Sequence, residues 1–151
     1  MKFLLLTIPL ITFSLFASGQ LEVQKVEPEV VIGEVSDMGF MKFKLSKKPI
    51  KGDTTCFFIY RNAKYSAITD FKIIYFSPAD STVEKLEQVL LNILHDAAFD
   101  NEKQQMKITL GNTEAVLSRT KVGKTNYVYF WTREGYFFIS EKQINKLFRK
   151  Q

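Results

Sequence analysis

The chain has 151 residues, a formal net charge of +5, 46% hydrophobic and 14% aromatic side chains, and one cysteine. That length fits a single domain with its own core, and so mild a charge does not mark a binder of polyanions. One thiol excludes an internal disulfide, and G-x-S-x-G, H-E-x-x-H and Gly-rich phosphate loops are all absent.

In chain order, the sequence opens with Lys2, an uncharged run from Phe3 to Phe16, and the small residues Ala17-Ser18-Gly19. This is the pattern of a secretory signal peptide over residues 1–19, cut before Gln20. The run is shorter than the ~20 residues a bilayer span requires, so the mature chain is expected to have no transmembrane segment. Export without an internal disulfide, and without an Asn-x-Ser/Thr acceptor, fits a bacterial periplasm or exterior. Residues 20–29 read as a lead-in segment or edge strand, since Pro28 keeps them out of a sheet centre. Residues 30–151 read as one α+β domain.

VVIGEV predicts a strand, and a turn over Ser36–Gly39 leads into a second. There Met41, Phe43 and Leu45 alternate with Phe40, Lys42 and Lys44, the period of a half-buried strand. SKKPIKGD reads as a loop. Lys42, Lys44, Lys47, Lys48 and Lys51 form a candidate basic patch for an anionic head group or sugar; the plainer reading is an edge strand guarded by lysines. TTCFFIY is the next strand, with Cys56 as a small buried hydrophobe. SAITDFKIIYF follows, placing Phe71, Ile73 and Tyr75 on one face and Asp70, Lys72, Ile74 and Phe76 on the other.

STVEKLEQVLLNILHDAAF predicts a helix over about 82–99. Val83, Leu86, Val89, Leu90, Ile93, Leu94 and Ala97 make one apolar stripe, and Ser81 and Glu84 have capping-box spacing. The only histidine, His95, falls on the polar face, where a lone imidazole does not make a metal site. MKITL and EAVLSRTKV are strands around a Gly111–Thr113 turn, and Gly123-Lys124 turns the chain again. Ser140 and Gln143 offer a second capping box for a short helix over about 141–149. Its apolar residues are Ile144, Leu147 and Phe148, and Arg149 and Lys150 suit its dipole. Both halves thus read as four strands and a helix. The fold expected is one antiparallel twisted sheet of about seven to nine strands, with the long helix on one face.

The stretch 127–140, YVYFWTREGYFFIS, holds seven aromatic residues. A two-residue Glu134-Gly135 turn sets Arg133 opposite Tyr136 and Trp131 opposite Phe138. Val128, Phe130, Phe137 and Ile139 then form a core side, and Tyr129, Trp131, Arg133, Tyr136 and Phe138 the other. Tyr, Trp and Arg dominate binding hot spots, so this second side is the candidate binding face, unless the C-terminal helix covers it.

Among the acids, Asp70 and Glu114 stand out by lying in strand-like runs, where a neighbouring lysine commonly matches them. The functional expectation is an exported, non-catalytic binding or accessory protein whose partner is a protein or envelope component. Nucleic acid, metal and cofactor are not expected. The alternatives are an exported enzyme with carboxylate chemistry, or an inhibitor or structural subunit of a larger assembly.

Overall fold

Alternation of apolar and polar residues builds eight strands, and the chain pairs them in two groups of four. The computed structural model describes residues 27–65, 67–101 and 103–148; the signal-peptide reading and the dipole role of Arg149 and Lys150 lie outside the described residues. The first sheet runs in the order β1 (Val30–Asp37), β2 (Phe40–Ile50), β3 (Asp53–Arg61) and β4 (Phe71–Phe76). The second runs β5 (Gln105–Leu110), β6 (Thr113–Val122), β7 (Thr125–Thr132) and β8 (Tyr136–Ser140). Every neighbouring pair is antiparallel. The fold is α+β, but not the single large sheet expected. A period of two shows that each strand has one dry side; it does not say which strands share a ladder.

Tight turns fix the registers. Met38-Gly39 and Lys51-Gly52 both have positive φ, the requirement of a type I′ hairpin turn, whose twist matches that of the strands it joins. SKKPIKGD is therefore mostly strand rather than loop. β2 continues to Ile50, with Pro49 beyond Lys47, the last residue of β2 paired to β1. There β2 has become an edge, where a missing N–H is tolerated.

Helix α1 (Thr82–His95) follows the first sheet and packs on β6 and β7 of the second. Helix α2 (Glu141–Phe148) follows the second sheet and packs on β1 and β2 of the first, and also on β8. Each half thus gives its helix to the other's sheet. Leu86, Leu90, Ile93 and Leu94 of α1 are buried, as are Ile144, Leu147 and Phe148 of α2. Where the helices leave the sheets in contact, aromatic rings meet: Phe137 lies 5.2 Å from Phe43, 5.5 Å from Phe58 and 4.7 Å from Tyr60.

The long helix is shorter than its apolar stripe suggested. Asp96 takes an extended conformation and its side chain accepts from Ala98 N–H at 2.8 Å. It thereby starts a separate 3-10 turn, Ala97–Asp100, that buries Phe99 and leaves Ala97 exposed. Arg119 of β6 clamps this corner, donating to the carbonyls of Leu94 (2.9 Å) and Phe99 (3.2 Å) and pairing with Asp100. The Ser81–Glu84 capping box does not form. Ser81 has φ 56° and makes no side-chain cap, and a 3-10 turn over Ala79–Ser81 leads into the helix instead. At α2 half of the second box is present: Gln143 Oε1 accepts from Ser140 N–H at 2.9 Å.

Candidate functional site

The aromatic hairpin closes differently from expectation, yet keeps its faces. Trp131 pairs with Tyr136, Phe130 with Phe137 and Tyr129 with Phe138. Four residues, Thr132–Gly135, make the connection instead of two. The reason is Thr132. Its Oγ1 accepts from the N–H groups of Glu134 and Gly135 and donates to Gly135 O, and its own N–H also bonds Gly135 O. A Ser/Thr side chain that caps a turn in this way competes with strand pairing. The register moves by two residues, an even step, so no side chain changes sides.

Val128, Phe130, Phe137 and Ile139 are buried, with the Phe130 and Phe137 rings stacked at 4.7 Å. The opposite side faces out of the sandwich. Tyr129 lies 5.4 Å from Tyr136 and 5.2 Å from Phe138, and Tyr136 lies 5.8 Å from Phe138. Trp131 is 46% exposed and Phe138 40%. Helix α2 does not cover them, because its apolar residues go to the core. Burial, with Tyr136 alongside, pushes the Tyr129 hydroxyl above its ordinary pKa. A shallow groove of about 450 Å³ runs past Ser118, Thr120, Tyr129, Tyr136 and Phe138. Arg133 is exposed in the turn rather than set against Tyr136.

A polar seam holds this hairpin against the first sheet. Thr132 Oγ1 is bonded to Tyr60 Oη at 3.0 Å, deep in the core. Asn62 Oδ1 accepts from Tyr136 N–H (3.2 Å) and Lys64 N–H (3.1 Å), while its Nδ2 donates to Asp70 Oδ2 (2.8 Å). Asp70 also pairs with Lys72 at 3.1 Å. The Asn62 donor first, then Lys72, holds the Asp70 carboxyl below its ordinary value of 3.8. Neither Asn62 nor Thr132 stood out in the sequence, since their partners lie more than seventy residues away.

Four of the five lysines lie in β2 and Lys51 follows it, and they do not share one surface. Lys42 pairs with Asp37 at 2.6 Å and Lys44 with Glu29 at 2.9 Å. Lys47 borders a cleft beside Cys56 on the side facing α1, and Lys51 sits in a turn. Glu114 pairs with Lys107 at 3.1 Å on the outside of the second sheet, on a different sheet from the Asp70 cluster. His95 is exposed, 3.3 Å from Glu141. Cys56 is a buried free thiol whose pKa is raised, chiefly by desolvation.

One exposed surface was not singled out from the sequence. Phe71, Ile73 and Tyr75 turn outward and sit beside the half-buried Phe57 and Ile59; Phe57 and Tyr75 meet edge to face at 5.4 Å. Three alternating apolar residues mark a face, but Ile74 and Phe76 between them are apolar too, so the pattern does not say which set is wet.

Among the described residues, no helix is long and apolar enough to cross a membrane, and no cluster of His, Cys, Asp or Glu is arranged to hold a metal ion. No protein-family model, curated protein or solved structure matches the chain.

Proposed function

We propose that this is an exported, non-catalytic binding or accessory protein of a bacterial envelope or exterior. Its partner, a protein or envelope component, docks on Tyr129, Trp131, Tyr136 and Phe138, with Arg133 at the rim. The observation that carries this reading is the exposure of Trp131 and Phe138 beside a core-facing set on the same two strands. A sheet that needed only a core would have polar residues on its wet side. Here that side carries rings in mutual contact, which bury much area on docking and lose little side-chain entropy. The carboxylate-enzyme alternative draws no support from geometry, since Asp70 is engaged by Asn62 and Lys72, and Glu114 by Lys107.

The test compares the tagged wild-type chain with a Trp131→Ala/Phe138→Ala variant in cross-linking pull-downs from the producing cell's envelope. A partner held by the wild type and lost by a variant that still melts cooperatively is the expected result. A partner held equally by both removes the aromatic face from the proposal. N-terminal sequencing of the exported protein should begin at Gln20; a full-length protein confined to the cytoplasm would end the export reading.

A further inference from the structure

We infer that a second site, at the seam between the two sheets, takes a small organic carboxylate with an apolar body. The cleft there has a volume of about 430 Å³, within the roughly 300–1,000 Å³ usual for small-ligand pockets. Its floor is apolar: Phe43 and Phe137 are both buried, with rings 5.2 Å apart. Tyr127 and Phe138 wall it from the second sheet, and Ala63 and Tyr65 from the loop after β3. That loop is tied down where the cleft needs it: Ala63 N–H bonds Tyr136 O at 2.8 Å, and Asn62 N–H bonds Asp70 O at 2.7 Å. A wall already held in place costs a ligand little ordering entropy.

The charges at this cleft select the ligand's sign. Lys42 and Arg61 both border it. Lys42 is already paired with Asp37. Arg61 makes no ion pair among the described residues. Asp70, the acid hydrogen-bonded to Asn62 beside it, is engaged by Asn62 and Lys72. Lys64 adds a further positive charge over the Tyr65 ring, 5.4 Å from its centroid. The cleft therefore has a cationic rim over a greasy floor. A guanidinium whose fork is unoccupied matches a carboxylate head with two parallel hydrogen bonds, and the chain or ring behind that head covers Phe43 and Phe137. This site is distinct from the aromatic face, although Phe138 borders both.

Octanoate and octanamide make the test pair, because they share a tail and differ in charge. Each is titrated into the full mature chain and followed by amide NMR shifts at Ala63 and Gln143, both at the cleft. Octanoate should bind at least tenfold more tightly than octanamide. Arg61→Gln should lower octanoate affinity about tenfold and leave octanamide unchanged. Trp131→Ala, outside the cleft, should alter neither, so failure of the aromatic-face reading and failure of this one give different results. Equal binding of acid and amide by the wild type, indifference of octanoate to Arg61→Gln, no saturable shift, or shifts confined to residues away from the cleft would each overturn the inference.

Discussion

Phe130 and Trp131 are adjacent in sequence and look in opposite directions, so truncating each to alanine should have very different effects. Phe130 has no exposed surface and touches Phe137 at 4.7 Å and Phe58 at 6.3 Å. Removing a fully buried ring costs about 3–5 kcal/mol, through lost transfer energy and an unfilled cavity. Domains are stable by only about 5–15 kcal/mol, so Phe130→Ala should lose from about a fifth of the total to all of it. Trp131 keeps 46% of its surface in water. Burying a large apolar side chain entirely contributes about 1.5–3 kcal/mol, and about half of that is available here. Trp131→Ala should therefore cost about 0.8–1.5 kcal/mol, and lower Tm by several degrees. Urea unfolding followed by far-UV circular dichroism measures both, since Trp131 is the only tryptophan and its fluorescence is lost in that variant. Equal destabilisation by the two substitutions would refute the division of this hairpin into a dry and a wet side, and the proposed binding face with it.

Thr132→Val leaves the Tyr60 hydroxyl buried without its partner, at a cost of about 1–3 kcal/mol. Adding Tyr60→Phe should recover part of that loss in denaturant melts; strict additivity would mean the two hydroxyls are not coupled. Gly33→Ala would place a methyl 2.0 Å from Leu147 O, a backbone atom of α2. Because the backbone has no side-chain rotamer with which to retreat, α2 must shift off β1, and proteolysis should cut near residue 147 faster than in the wild type; an unchanged rate counts against the packing described. For acid stability the sign follows from Asp70, whose folded pKa lies below 3.8. Its pairing stabilises the fold above that value and is lost as pH falls through the folded pKa. The stability gap between wild type and Asp70→Asn should be constant near neutrality and shrink below about pH 4. A gap that widens on acidification would reverse the assignment. Asp37, also lowered by its contact with Lys42, titrates in the same window and remains in both proteins.

Local pattern determined a good deal. Period-two alternation assigned Phe43 and Leu45 to the core side of β2, and Phe130, Phe137 and Ile139 to that of the hairpin, because a strand's side chains must alternate whatever the strand pairs with. Spacing of three and four placed Leu86, Leu90, Ile93 and Leu94 on one buried stripe. Glycine-bearing turns marked the hairpins, and the same alternation delivered Tyr129, Trp131, Tyr136 and Phe138 to one face, even with the turn length misjudged. Tertiary contact decided the rest. Nothing between β4 and β5 says that the ladder stops there, or that α1 and α2 cross to opposite sheets. Whether Phe71, Ile73 and Tyr75 or Ile74 and Phe76 are wet depends on which side of β4 the other sheet occupies. The cleft lined by Arg61, Phe43 and Phe137 joins residues more than ninety positions apart, held there by Asn62 and Thr132. Alternation is a property of single strands; partners, enclosure and the company of charges arise only when distant segments are brought together.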